Sequence, residues 1–385
     1  MVGIITADTI QVNSILTKTG APQTSSNLGL SGGIGKNILI NGAMQVAQRG
    51  TSVTGLGPTN DVFGAVDRVK FFSAGSHSGQ FTAAQIAITD LPGFANAMKL
   101  SCTTADTSIA AAEHMGFKHM VEGQDLQQIK KGTASAQKTT LSFYVKANAA
   151  ATYTVELRDM DNNRINTHKF DVTTSWTRVV LPVIADTTGA YDDDNAMSLQ
   201  ISWWLHAGSD FTSGTFAENT WATRDNTNRV YSSNTSFFDS TARTLFITGI
   251  QYEVGEAASE FEHKKYSDTF KDCLRYFYRL RKTNAYGEFV TIRTYSSDDG
   301  TGVLNFPQPM RVQPTLTIDK TVNSTNFAYS LNSISIAAAD VNVTQCGIAA
   351  ASSSASAFVT GGGAVIQSNG ASGAIDVSFD FSSEL

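Results

Sequence analysis

Charged residues are scarce in this 385-residue chain: Asp, Glu, Lys and Arg together make up 16% of it, against roughly a quarter in ordinary globular domains. Long exposed helices draw on Glu and Lys for their outer faces, so the shortage argues against a helical protein. Cysteine (3 residues), histidine (6) and proline (7) are also few. Cys102, Cys273 and Cys346 lie far apart among apolar or small neighbours. They cannot all pair, and they read as buried free thiols of a chain that folds in a reducing cytoplasm. No basic-then-apolar leader opens the sequence and no apolar run approaches a membrane span, so neither a signal peptide nor membrane insertion is expected. With 28 basic and 34 acidic residues the net charge is −6. The densest basic stretch, Arg275 to Lys282, falls inside a helical pattern, so nucleic-acid binding has no electrostatic support.

Catalytic and metal-binding patterns are missing too. Gly29 to Asn37 briefly resembles a phosphate loop, but the first glycine is misplaced and Asn37 stands where Ser or Thr would hold Mg²⁺; a flexible linker is the better reading. Asp159-Met-Asp161-Asn-Asn163 starts like a calcium loop, yet Arg164 replaces the sixth-position glycine and Phe170 the twelfth-position glutamate. A hairpin turn joining Tyr153–Arg158 to Ile165–Val172 fits better. Asp192-Asp193-Asp194 reads as a solvated acidic loop, with a structural Ca²⁺ as the alternative. Glu113, His114 and His119 lack zinc spacing. No serine sits in a nucleophile elbow. The sequence therefore nominates no catalytic residue, no metal ligand and no cofactor, and the expectation is a binding protein rather than an enzyme.

What the chain has in abundance is Ser, Thr, Asn, Gly and Ala between short apolar alternations. Leu141, Phe143 and Val145 alternate with polar neighbours, as do Tyr153, Val155 and Leu157, then Val179, Leu181 and Val183. Leu199, Ile201, Trp203 and Leu205 give the clearest half-buried strand, and Phe246 to Val254 follows. Eight to ten strands over residues 37–262 imply an all-β, jelly-roll-like sandwich, with a helical turn or two near Ala111 to Ile129. Before it, residues 1–36 hold one extended segment, Gly3 to Leu16, without a sequential partner. This is expected to be an anchoring arm, with Ile4, Ile5, Ile10 and Val12 as its assembly contacts. After it, residues 263–283 are expected to form a helical connector of ~14 residues capped by Ser267. Phe270, Cys273, Leu274, Phe277 and Tyr278 make one stripe, of which Phe270, Leu274, Phe277 and Tyr278 are assembly candidates. Residues 284–385 return to strands at Tyr286 to Tyr295, Thr315 to Asp319 and Asp376 to Phe381. They are poor in large apolar groups, so this small β domain gains by burying surface against its own copies, which favours a closed homo-oligomer.

Trp203 and Trp204 are adjacent on one strand and must point to opposite sides; Trp203 follows the core alternation. Trp204 faces a second layer, a subunit or a ligand. The irregular stretch Phe211 to Phe238 mixes aromatics with Asn, Thr and Arg, which suits sugar rings. The ligand-binding candidates are therefore Trp204, Trp221, Arg224, Asn226 and Tyr231, unless these aromatics simply pin the loop.

Several segments together resemble a known family. They are Asn37-Ile-Leu-Ile-Asn41-Gly42 through Gln48-Arg49-Gly50, Val66-Asp67-Arg68, Glu122-Gly123, and Leu141-Ser-Phe-Tyr-Val-Lys146-Ala147. Further on come Trp176-Thr-Arg178, Ile247 to Gly255, Phe261-Glu262 and Cys273-Leu-Arg275-Tyr276-Phe277-Tyr278. Phe306-Pro-Gln-Pro-Met310-Arg311-Val-Gln-Pro314-Thr315 and Ser383-Glu384-Leu385 complete the set. In this order and spacing they resemble tailed-bacteriophage tail-fibre and minor virion structural proteins over residues 37–385. The chain departs from that pattern at Val69 and Phe277. The resemblance implies a carbohydrate-binding-module-like jelly roll, homotrimeric assembly and a place on the virion. Other virion proteins would be met through the N-terminal arm, residues 284–385 would serve trimerisation or host contact, and a host cell-surface glycan would be the distal partner. A structural adaptor or capsid-decorating protein without a receptor role is the alternative, and a glycan depolymerase a third reading.

Overall fold

The computed structural model describes residues 15–16, 22–23, 35–282, 288–297, 299–320, 335–339, 341–351, 360–361, 363–367 and 377–385. Ile4, Ile5, Ile10 and Val12 lie outside them. The described part of the leader corrects one expectation. Ile15–Leu16 (β1) has a sequential partner after all, pairing antiparallel with Pro22–Gln23 (β2), because strands this close in sequence meet at little loop-closure cost. The run proposed as a flexible linker is also tied down at its end, where the Gly35 and Asn37 amides both donate to the Glu262 carboxylate, at 2.6 and 2.7 Å.

The body is an antiparallel β-sandwich. Its strands are β3 (Ser52–Leu56), β4 (Asn60–Gly64), β5 (Val66–Ala74), β6 (Gln80–Ala87), β7 (Asn96–Thr104) and β8 (His114–Glu122). There follow β9 (Thr139–Ala147), β10 (Ala151–Asp159), β11 (Arg164–Val172), β12 (Thr177–Val183), β13 (Met197–Ala207), β14 (Ala222–Thr223) and β15 (Thr244–Val254). That is thirteen strands rather than eight to ten, the excess lying in short strands such as β3, β4 and β14 whose turn-rich sequences carry little alternation. One sheet runs β14-β11-β10-β13-β8-β5-β4 and the other β12-β9-β15-β7-β6-β3. The stretch Ala111 to Ile129 is strand β8 followed by two 3₁₀ turns, Gly123–Asp125 and Gln127–Ile129. Its expected helical content is thus confined to the second half, since His114 to Glu122 is zipped between β13 and β5.

The period-2 alternation carries the fold. On β13, Leu199, Ile201, Trp203 and Leu205 enter the core. Trp203 stacks on Phe117 of β8 with centroids 4.9 Å apart and rings 10° from parallel. It also meets Phe143 of the opposite sheet edge-on at 5.7 Å, so one side chain ties both layers. The Asp159–Arg164 segment is the hairpin turn, with the Asp161 and Asn162 amides donating to Asp159 Oδ1 at 3.0 Å. Cys102, Cys273 and Cys346 are free and buried. Burial pushes the Cys102 and Cys346 thiols up to about 11 and Cys273 well above its usual range, which keeps them protonated and inert.

The connector is shorter than its apolar stripe suggests. Besides the single turn α1 (Ser209–Thr212), the helix of note is α2 (Tyr266–Leu274), nine residues long with Lys265 rather than Ser267 at its N-cap. Phe277 and Tyr278 are not helical; they open strand β16 (Phe277–Lys282). Arg275 and Tyr276 are drawn instead to Glu122: the guanidinium donates at 2.8 and 2.6 Å and the Tyr276 hydroxyl donates to the same carboxylate. Phe270 is half-buried and stacks on Tyr266. Leu274 and Phe277 are buried, and Tyr278 packs on Phe306 and Phe381.

The C-terminal part has two small sheets. β16, β23 (Val377–Ser382) and β19 (Thr315–Lys320) form one, in the order β16-β23-β19. The other contains β17 (Glu288–Thr294), β18 (Asp299–Asn305), β20 (Ser335–Ala339), β21 (Gln345–Ala351) and β22 (Gly363–Gln367), in the order β20-β21-β18-β17-β22. Their shared described core includes Phe289, Ile292, Met310, Ile348, Phe379 and Phe381. It is far smaller than the sandwich core.

Candidate functional site

Side chains on β13 that point away from the core line a cleft of about 430 Å³ on the outer face of the seven-stranded sheet, within the roughly 300–1,000 Å³ range of ligand sites. Cross-strand register builds it. Glu156 of β10 lies opposite Ser202 of β13, Ser202 opposite Lys118 of β8, and Lys118 opposite Lys70 of β5. In the next row Thr154, Trp204, Gly116 and Phe72 follow one another, and Asp61 of β4 closes that row. Arg158 pairs with Gln200. Thr59, Asn60 and Asp61 form one wall, and Arg158 and Arg229 stand across from them with Gln200, Ser202 and Trp204 also lining the cleft.

Gly116 has to be a glycine. A Cβ there would strike the Trp203 carbonyl and come within 2.7 Å of the Phe72 ring. The open space lets Phe72 lie 5.3 Å from Trp204 and 6.0 Å from His114, edge and tilted respectively. Trp204 is buried, 2% exposed, with Nε1 donating to Glu156 Oε2 at 3.0 Å and the Arg229 guanidinium 4.6 Å above its ring. Its face is therefore covered by a cation, and the ring edges half-open to the cleft are those of Phe72 and His114.

Charge is distributed unevenly. Glu156 is fully buried and takes two hydrogen bonds from Arg229, at 2.7 and 2.8 Å, besides that of Trp204. Asp61 pairs with Lys70 at 2.8 Å and Lys118 at 2.9 Å. Burial alone would raise the Asp61 carboxyl, but the two ammonium groups outweigh it and hold it below its usual range. Arg158 is different: among the described residues its side chain has no hydrogen-bond or ion-pair partner, and its Nε is buried. Burial, then the charges of Arg224 and Arg229, lower its proton affinity. Burial also lowers that of Lys118, which feels Arg158 and Lys70 as neighbouring cations.

Of the five ligand candidates read from the sequence, Trp204 alone lines the cleft. Trp221 packs against the sandwich core, donates Nε1 to the Ile184 carbonyl at 2.9 Å and lies under Lys131. Arg224 donates to Asn226 Oδ1 at 2.5 Å, and Asn226 begins an exposed 3₁₀ turn. Tyr231 meets Phe216 edge-on at 5.6 Å. Lys118, Arg158, Gln200, Ser202, Arg229 and Asp61, which also line the cleft, are not among those candidates. Their one signal is parity: each alternates with core residues on its strand or sits in the adjoining loop, and no spacing motif marks them. Asp192, Asp193 and Asp194 are exposed. Among the described residues no group of three or more His, Cys, Asp or Glu side chains gathers where a metal ion could be held.

No protein-family model matches the chain, and no curated protein does. Solved structures do, distantly. The family 11 carbohydrate-binding module from Clostridium thermocellum in complex with a β-1,3-1,4-mixed-linked tetrasaccharide aligns over 56% of this chain and 99% of its own, at 13% identity and TM-score 0.27. The N-terminal cellulose-binding domain of Cellulomonas fimi β-1,4-glucanase C aligns over 55% and 100%, at 12% identity and TM-score 0.26. Discoidin II of Dictyostelium discoideum aligns over 77% and 84%, at 8% identity and TM-score 0.15. The likeness is one of fold: the sandwich has a distant structural similarity to carbohydrate-binding jelly-roll modules.

A second polar cluster joins the sandwich to the C-terminal sheets. Glu384 pairs with Arg49 at 3.1 Å and with Arg68. Arg68, 1% exposed and at φ +71°, also donates to the Met120 carbonyl at 2.9 Å and lies 3.4 Å over the Tyr276 ring. Gln48 donates to the Phe277 carbonyl and to Asp67, at 2.9 and 2.7 Å. Arg311 reaches the carbonyls of Ser383, Asn195 and Glu384 at 2.7 to 3.0 Å. Burial alone would raise the Glu122 carboxyl, but Arg275 and Tyr276 hold it below the usual carboxylate range.

Proposed function

We propose that this chain is a glycan-recognition and assembly protein, a trimeric fibre or spike subunit of a virion that contacts a host-surface sugar through the outer face of its sandwich. The observation that carries the recognition half is the 430 Å³ cleft, lined by amide, hydroxyl and guanidinium groups beside half-open aromatic edges. That is the lining that hydroxyl-rich rings require. The assembly half is supported by the small described C-terminal core and by the sequence resemblance. Weak single sites gain avidity when copies are linked.

The test uses the full chain, a broad array of immobilised bacterial-surface glycans, and the variant Thr59→Trp, which puts bulk on an exposed rim position. Selective retention of the native chain and its loss in the variant is the expected result; equal retention of both sinks the reading of the cleft. A particle mass of one chain in light scattering would sink the assembly half. Release of reducing sugar from host envelope by the purified chain would make it a depolymerase instead.

An adaptor or capsid-decorating role without receptor contact is the second reading. It is favoured by one observation: Gln48, Arg49, Asp67, Arg68, Glu122, Arg275, Arg311 and Glu384, which belong to the family-like segments, converge on the joint rather than the cleft. Antibodies against the cleft face around Thr59, Asn60 and Asp61 that leave host adsorption untouched would favour it.

A further inference from the structure

The cleft carries more positive charge than its own carboxylates absorb. Lys70, Lys118, Arg158, Arg224 and Arg229 gather at or beside it, and the carboxylates facing them are Asp61 and Glu156. Both acids are already engaged: Asp61 holds the two lysines, and Glu156 holds Arg229 and the Trp204 indole. Arg158 is left without a hydrogen-bond or ion-pair partner among the described residues and feels Glu156 only at longer range, although half-buried near a lysine and two other guanidinium groups. In a chain of net charge −6, a partly desolvated like-charge cluster is unfavourable on its own. It becomes favourable when an anion enters, because a guanidinium offers a planar fork of N–H donors matched to an oxyanion.

Resting on the glycan reading above, we propose that the cleft selects an acidic sugar, with the oxyanion of a uronate, sulfate or phosphate substituent received by Arg158 and Lys118. Gln200, held by its hydrogen bond to the buried Ser202 at 2.9 Å, then meets the ring hydroxyls. Asn60 on the opposite wall and the Phe72 edge limit the ring's position. The cationic cover over Trp204 fits the same chemistry. A neutral glucan would gain most from an open indole face, and here Arg229 occupies that face.

Isothermal titration of the full chain tests this with four probes: a galacturonate tetrasaccharide, its methyl ester, a neutral tetrasaccharide, and a sulfated form of that neutral tetrasaccharide. The charged forms should bind at least about tenfold more tightly than their uncharged counterparts, weaken as salt is raised, and lose that preference in Arg158→Gln. Comparing the uronate with the sulfate identifies which oxyanion is read. Lys118→Gln, on a different strand, guards against an Arg158 effect that is merely structural and should lower the preference too. Equal affinity for charged and neutral forms, with Thr59→Trp abolishing both, overturns the acidic preference and leaves the glycan reading standing. No affinity for these probes or for any arrayed glycan overturns both.

Discussion

The joint and the cleft are assembled from the same residue types and treat charge in opposite ways. At the joint, Arg275 meets Glu122, Arg68 meets Glu384 and the Met120 carbonyl, and Arg311 meets three carbonyls. At the cleft, Glu156 and Asp61 are satisfied while Arg158 is not. Desolvated charges held in ion pairs, as Arg68 is although its Nε lacks a partner, fix geometry, and removing one partner is costly. A cation without an ion pair contributes little charge energy to the fold, and in the reading proposed above it is the group that receives the ligand. Stability and recognition should therefore separate when these two places are mutated.

The largest effect is expected from Glu122→Ala, which strips the acceptor from both Arg275 and Tyr276. Breaking a buried pair from one side costs about 3 kcal/mol or more; part-exposure of Arg275, 27%, keeps it at the lower end. Thermal unfolding should show a fall of several degrees, with affinity for the cleft's sugar unchanged. A melting point within a degree of the native chain would mean the joint contributes geometry only.

Second comes acid. Burial holds His119 at about 3 and His168 and His206 at about 4, with the His77 charge adding to the effect on His206. The unfolded imidazole titrates near 6.5. Between these values the unfolded chain binds protons that the native chain refuses, so stability is full above about 6.5 and declines as pH falls toward about 4. Melting temperature followed against pH should drop through that window. His119→Gln, beside Arg68 at the joint, should flatten the drop, whereas Arg158→Gln should not.

Much of this was legible in the sequence where one strand speaks for itself. The opposition of Trp203 and Trp204, the hairpin at Asp159–Arg164, the three buried thiols and the all-β class follow from alternation and composition. Phe270, Leu274, Phe277 and Tyr278 keep helical spacing, so periodicity extends the expected helix beyond Leu274, where it ends. What ends it is a carboxylate 153 positions from Arg275, and local periodicity carries no trace of so distant a partner. The cleft was hidden for the same reason. Asp61, Lys118 and Arg158 come from separate strands and meet through register, and Arg229 joins them from a loop through Glu156. In the stretch Phe211 to Phe238, whose aromatics and amides point to a sugar site, Trp221 and Tyr231 are engaged in packing.

A smaller loss is expected at the floor of the cleft. Gly116→Ala would push a methyl toward the Trp203 carbonyl and the Phe72 ring. Overpacking costs about 1–3 kcal/mol and occasionally more, and a clash with a backbone carbonyl puts this case at the top of that range, close to the joint variant. It should also shift Phe72 and so weaken binding, making it the one substitution that moves both readouts. Titration alongside thermal unfolding would show this, and unchanged values for both would mean the sheet yields freely there.

The smallest effect on stability belongs to Arg158→Gln, and it separates the two regions most sharply. Glutamine keeps much of the aliphatic stem over the sheet while removing a cation that has no partner among the described residues and is repelled by Arg224, Arg229 and Lys118. Nothing in the chain is left unpaired by its loss, so the change in unfolding free energy should stay within about 0.5 kcal/mol, with a small gain as the favoured sign. The same substitution should remove the preference for a charged sugar. If it instead destabilised the chain as much as Glu122→Ala, Arg158 would be a structural charge like those of the joint. The distinction between matched and waiting cations would then fail at the residue on which it depends most.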